Sequence, residues 1–265
     1  MVSHPDPEIH EVDKIVAAFC QEVAKQPLCF FSEADLQSSL YAKLIERFPE
    51  TVPMGERRGP REGKKDSAPF ETSRIHREYG VGGGERMDLV IFSAGSLEQA
   101  FRNYKTSDGK YLKPMFGFEL GTEKSAETGD HFREDLRKLA KFPDLERGYI
   151  LHFQRDMNLS DSGGPLRETT EDMLSKSFEA PIRESFPNLK SKSRVVVIRL
   201  NIGRLKKRVR GRCQIYDPTA KKGAGGWVAL PEEEVAAGVL NILDWKPSRA
   251  KPKVANIPLK GSGAS

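Results

Sequence analysis

At 265 residues, 37% of them hydrophobic, the chain is long enough for one large domain or two small ones and apolar enough for a real core, which excludes a disordered polymer. Lys and Arg outnumber Asp and Glu by 43 to 38 and the pI is about 9.0, a balance that favours polyanionic partners only mildly. Cys20, Cys29 and Cys213 form no CxxC, which argues against a disulfide framework or a zinc site, and no leader or membrane-spanning stretch is seen, so the expectation is a soluble, reducing compartment, most simply the cytoplasm.

From Pro7 to Gln26 the apolar residues Ile9, Val12, Ile15, Val16, Phe19, Cys20 and Val23 recur at three- and four-residue steps and predict an amphipathic packing helix. After Pro27, Ser32 and Asp35 form an S-x-x-D start, and Leu36, Leu40, Leu44 and Phe48 mark one face of a second helix that Pro49 stops. Residues 50–69, with prolines, glycines and the run ERRGPREGKKD, read as an exposed loop. Three strand candidates come next. Thr72 to Tyr79 is mostly polar and ends at the glycines from 80 to 84; Met87 to Phe92 is an apolar run around Asp88; Met115 to Leu120 is another apolar run. The segment between the last two exceeds a hairpin turn and is expected to hold a short helix.

Phe132, Leu136 and Leu139 restore helical spacing from Asp130 to Phe142, and Tyr149 to Phe153 supplies a fourth strand. Further on, the pattern predicts a helix from Glu168 to Phe186, strands near Arg194 to Leu200 and Arg212 to Tyr216, and a helix from Pro231 to Leu243. The Pro-, Lys- and Gly-Ser-containing tail over 246–265 reads as disordered. The organisation expected is a packing helix over 1–30, a core over 31–156, a C-terminal extension over 157–245 for nucleic-acid contact or dimerisation, and that tail.

Strand alternation lets Phe116, Phe118 and Leu120 pack under a helix while Gly117, Glu119 and Gly121 point the other way, with Glu119 the only charge on the predicted strand. Asp88 directly precedes Leu89, Val90, Ile91 and Phe92. Two carboxylates at the ends of neighbouring buried strands repel each other and are expensive to desolvate unless a divalent cation joins them. Hard oxygen ligands without a Cys and His cluster point to Mg or Mn.

The segments SEADLQSSLYAKL, HREYGVGGGERMDLVIF, MFGFELGTEK, and HFREDLRKLAKF with RGYILHF resemble, in order, the helix, three-strand meander, helix and strand of the PD-(D/E)XK nuclease superfamily. The resemblance covers about Phe31 to Asp156 and rests on the order of elements more than on any one motif. It implies an α/β fold: a restriction-endonuclease-like core, a central mixed β-sheet flanked by helices, with a C-terminal α/β elaboration. On it Asp88 and Glu119 are the paired acids, the Leu120 carbonyl is a further metal ligand, and Glu33 is similar to an acid that many members place beside the metal. Glu78 either faces the same cleft or is an exposed acid in a salt bridge.

The chain departs from the pattern two residues after the second acid, where the family's lysine is replaced by Gly121. Lys124 and Lys138 are the candidates to take over its role. Lys124 is preferred for its closeness in the chain; Lys138, with Asp135 and His131 at i−3 and i−7, is its rival, since members of the superfamily relocate this lysine onto the following helix.

Plainer readings stand beside these. Asp88 alone reads as a helix-capping acid or a partner of Arg86, and Glu119 as a buried partner of Arg74, Arg77 or Lys113. His131 and His152 read as surface or satisfied core histidines, and GVGGGE as a glycine-rich hairpin, since it joins strands and lacks the Lys-Ser/Thr ending of a phosphate loop. Arg204, Lys206, Lys207, Arg208, Arg210 and Arg212 are either phosphate contacts or a solvated hairpin edge. Trp227 and Trp245 read as core or dimer anchors.

The function expected is that of a metal-dependent nuclease on DNA before RNA, as in a restriction or phage-defence effector, acting as a homodimer or with a partner subunit. The alternatives are a catalytically inactive nucleic-acid-binding or scaffold module, for which Gly121 speaks, and an interaction protein with no nucleic-acid role.

Overall fold

The computed structural model describes residues 7–30, 32–53, 71–102, 112–123, 128–142, 145–155, 195–205, 208–216 and 227–230. The first helix, α1 (Pro7–Lys25), buries Val12, Val16, Phe19, Cys20 and Val23 completely, as its stripe requires. One acid shares that buried face. Asp13 accepts a 2.6 Å hydrogen bond from the Tyr149 hydroxyl and a close contact from Arg147, so burial, which pushes its carboxyl up, is opposed by a guanidinium and a phenol. After a 3-10 turn (Pro27–Cys29), α2 (Glu33–Arg47) begins at a capping box: Ser32 Oγ accepts from Asp35 N at 3.2 Å and Asp35 Oδ2 from Ser32 N at 2.9 Å.

Residues 50–69 are not all loop. Thr51–Pro53 (β1) pairs antiparallel with Glu71–Ser73 (β2), while 54–70 lie outside the described residues. The strand expected from Thr72 to Tyr79 is divided at Arg74, which is buried, gives its Nε to Phe92 O at 2.9 Å and pairs with Glu8 at 2.9 Å. A buried guanidinium needs such partners, and reaching them bends the chain. The main strand is then β3 (Ile75–Gly82), joined to β4 (Glu85–Phe92) by a tight turn in which Gly83 and Gly84 have φ of 67° and 81°. That is the left-handed backbone a hairpin of this kind demands of glycine.

The short helix expected next is α3 (Ala94–Arg102). Then come β5 (Pro114–Glu123), α4 (Thr128–Ala140), β6 (Arg147–Arg155), β7 (Val195–Leu205), β8 (Arg208–Tyr216) and β9 (Trp227–Ala229). Because β5 runs on to Glu123, Glu119 is not the only charged residue on its strand. The helices expected over 168–186 and 231–243, and the tail, lie outside the described residues.

Strands β3 to β9 form one mixed sheet in sequential order. β3, β4 and β5 are an antiparallel meander, β5, β6 and β7 run parallel, and β7, β8 and β9 are antiparallel again. The parallel step from β5 to β6 requires a crossover, which α4 provides. Alternation sorts the strand residues onto two covered faces. Leu89, Ile91, Phe116, Phe118, Leu120 and Leu151 pack with α1 and α2, while Val90, Phe92, Ile150 and Val197 pack with Phe132, Leu136 and Leu139 of α4. The extension therefore continues the sheet of the core, through β7 to β9.

Two close approaches set the helices. A methyl group at Gly117 or Gly148 would meet a Leu139 methyl at 3.0 Å, so α4 lies flat on bare backbone there. At Gly211 it would come within 2.6 Å of Ala24 Cα and 2.8 Å of Ala24 O, both backbone atoms that cannot swing aside. Gly211→Ala is therefore expected to lift α1 off β8 and cost about 1–3 kcal/mol, the usual range for overpacking. Urea unfolding measures it; an unchanged midpoint would mean that helix and strand are not so closely apposed.

No helix among the described residues is long and apolar enough to cross a membrane.

Candidate metal centre

The last rung between β4 and β5 is Leu89 against Phe118. The next positions along, Asp88 and Glu119, stand where the two strands part, and by alternation both lie on the α4 side of the sheet. Asp88 Oδ2 accepts a 2.6 Å hydrogen bond from the backbone N–H of Leu120, which places its carboxylate against the peptide that follows Glu119. The Glu119 side chain is buried, and its Oε2 accepts from Lys138 Nζ at 2.7 Å. Lys138 Nζ also reaches Asp135 Oδ1 at 3.2 Å, and the other Asp135 oxygen lies 2.9 Å from His152 Nε2. An ionised carboxylate only accepts, so the imidazole in this contact carries its hydrogen on Nε2.

These groups feel one another. Burial pushes Asp88 up to about 7, against the Leu120 N–H, with Glu33 and Asp135 adding to the rise and Lys138 opposing it. Glu119 is raised by burial and then by Asp135 and Asp88, with Lys138 pulling it back. Burial alone would depress the Lys138 ammonium, but Glu119 and Asp135 reverse this and hold it above its ordinary value. Both partners of the Lys138–Glu119 pair are thus shifted upward. The ammonium keeps its proton, and one lysine does not offset the surrounding acids.

Glu33, in the first turn of α2, is solvent-exposed as a residue, yet its carboxyl accepts a hydrogen bond from the Thr122 backbone and sits in the same field. Burial raises it, opposed by that bond, and Asp135 adds to the rise. Glu78 is the exposed acid of the two readings offered above: it accepts from Gln37 Nε2 at 3.0 Å and lies 3.9 Å from Arg86. Asp88 is thereby not the partner of Arg86, and Glu119 is not the partner of Arg74 or Arg77, which go to Glu8 and Gln37. Lys124, Lys206 and Lys207 lie outside the described residues, as do the side chains of Arg204, Arg208, Arg210 and Arg212.

Gln37, Asp135 and His152 have no role at the site in a reading of the sequence alone. Gln37, buried on α2, donates to Asp88 O at 3.2 Å and to Glu78 while accepting from Arg77 at 2.7 Å, which clamps β3 and β4 where Asp88 emerges. Its signal was a polar residue beside the apolar face of a helix. Glu78, next to that clamp, is the one non-glycine with positive φ, 52°, among the described residues. Asp135 and His152 come together through the parallel pairing of Gly121 with His152, which no local pattern reveals.

A divalent cation fits this donor set. Glu119 Oε1 is buried and has no hydrogen-bond partner among the described residues, although a carboxylate oxygen there should have one. Asp88 and Glu119 are each made harder to ionise by the other acids, the condition that a dication relieves. Among the described residues there is no group of three or more His, Cys, Asp or Glu side chains that could hold a metal ion.

No family model matches this chain, and neither does any curated protein or solved structure.

Proposed function

We propose that the chain is a metal-dependent nuclease of the PD-(D/E)XK type, with a restriction-endonuclease-like core, and that Asp88 and Glu119 hold Mg or Mn for phosphodiester hydrolysis. The observation that supports this best is the parting of β4 and β5 at two carboxyl groups, with an ammonium seated on the second. The order α2, β3–β4–β5, α4, β6 is the order the resemblance implies.

Bound there, the cation would lower the pKa of a water and neutralise charge developing on the phosphodiester. Asp88 is kept in place for it by the Leu120 amide, and Glu119 offers its unpartnered oxygen. Glu33, which raises Asp88 electrostatically, would hold a water of the cation's shell, and the Leu120 carbonyl would be a further oxygen ligand. Lys138 supplies the positive charge that position 121 does not, which brings charge to the phosphate side without a lysine on β5. DNA is the preferred substrate, and the basic stretch around Lys206, Lys207, Arg208, Arg210 and Arg212 is its proposed contact.

The test is cleavage of double-stranded DNA, single-stranded DNA and RNA with Mg, Mn or EDTA, by the full chain and by Asp88→Ala and Glu119→Ala. Cutting is expected with Mg or Mn, none in EDTA, and none by either variant. Undiminished cutting by both variants removes the mechanism. Salt-sensitive binding without cutting under any condition favours an inactive binding module instead.

A further inference from the structure

We propose that His152 and Asp135 are positioning residues that fix the Lys138 ammonium on Glu119, and that Gly121 is the vacancy this arrangement requires. The catalytic meaning of the claim rests on the nuclease reading above; the geometry does not. Gly121 and His152 are paired across β5 and β6, on the same face as Glu119. A methyl group at 121 would lie 3.3 Å from His152 Nε2 and 3.4 Å from both Cδ2 and Cε1. The imidazole therefore covers the spot from which a side chain at 121 would start. Glycine there is less a lost lysine than the space a buried histidine fills.

From that seat His152 does one further thing. Its ring is buried, edge-on to Phe132 at 5.7 Å, and its Nε2 holds one oxygen of Asp135. The other oxygen of Asp135 is thereby turned toward Lys138, one helical turn on. A lysine has a long, rotatable stem, and a single carboxylate partner would leave its ammonium mobile. Here Nζ is held by two, of which Glu119 is the one a cation would engage and Asp135 the one that would remain. An ammonium held by Asp135 would stay beside the site while Glu119 engaged the cation.

A purely structural alternative is that the His152 and Asp135 contact only docks α4 onto the sheet. The two differ in coupling, so the experiment is a double-mutant cycle on the full chain with His152→Ala, Lys138→Ala and the double variant. It is read first as thermal melting in EDTA, and second as kcat and KM for Mg-dependent DNA cleavage. Positioning predicts a melting shift in the double variant smaller than the sum of the single shifts. It also predicts roughly tenfold lower kcat for His152→Ala with KM within about twofold, and no further loss when Lys138 is already gone. His152→Gln, whose amide can replace the Nε2 donor, should recover most of the rate and covers the case in which the alanine variant folds poorly.

Additive melting shifts overturn the positioning claim and leave the nuclease reading standing. So does an equal loss of kcat from His152→Ala in both backgrounds. A full chain that cuts nothing while its melting shifts remain coupled brings down the nuclease reading and not the geometry.

Discussion

Asp88→Asn is expected to make the metal-free protein more stable and the metal-loaded protein inactive. Two opposite effects at one atom pair are hard to explain by anything but a metal carboxylate. In the fold the carboxyl is raised from 3.8 to about 7, mainly by burial. A carboxyl raised in this way binds protons more tightly folded than unfolded. Its protonated form is favoured by folding, and stability is lost as pH rises from about 4 through about 7. At pH 8 the wild-type protein in EDTA bears the full penalty, and asparagine, which keeps an oxygen for the Leu120 N–H, removes it.

The gain should be about 1–2 kcal/mol at pH 8 once partial solvent access to the carboxylate is allowed for, and it should vanish near pH 4. Cleavage should fall by about a thousandfold or more, equivalent to some 4 kcal/mol of transition-state stabilisation. Saturating Mg should raise the melting temperature of the wild-type protein and leave the variant unmoved, because only a state that binds ligand is stabilised by it. Melting curves in EDTA and in Mg, at pH 4 and pH 8, decide the matter. An asparagine variant that is less stable than wild type at pH 8 and still responds to Mg would show that Asp88 is a structural acid.

Why some of this was visible in the sequence and some was not follows from the range of each interaction. The stripe of α1, the Ser32 and Asp35 box and the apolar runs of β4 and β5 are local, so a window of ten or so residues contains their cause. The division of the strand at Arg74 is not local, since it depends on Glu8, 66 positions away, and on the Phe92 carbonyl. Nor is β1, whose partner lies beyond the 54–70 stretch. The site divides in the same way. Asp88 and Glu119 each sit beside an apolar run and could be picked out individually. Their common neighbour, Lys138, was legible only as one of two candidate lysines, because its approach to Glu119 depends on how α4 packs against the sheet; Lys124, preferred for its closeness in the chain, lies outside the described residues. Gly121 taken alone reads as a deficiency; in the sheet it faces His152, and its meaning is spatial.

Lys138→Met tests that last point, with an expected loss of cleavage of about a hundredfold to a thousandfold and a loss of stability whose size depends on pH. Methionine replaces the aliphatic stem and removes the charge. Lys138 is raised in the fold, so its contribution to stability is complete below about pH 10 and is lost as pH rises beyond that. Without the ammonium, Glu119 keeps its burial and its repulsion from Asp135 and Asp88, and its proton is held more tightly still. Breaking a buried pair ordinarily costs about 3–5 kcal/mol. Here Glu119 escapes part of that by protonation, so about 1–3 kcal/mol at pH 8 is expected, narrowing at lower pH as Glu119 becomes protonated in both folded proteins; the unfolded state, common to both, drops out of the difference. Lys138→Arg restores charge without the single-point geometry and should recover stability further than rate. Urea unfolding between pH 4.5 and 8, beside cleavage rates, separates the two effects. A methionine variant that cuts DNA at the wild-type rate would remove Lys138 from the reaction and pass the part to Lys124, the nearest lysine along the chain.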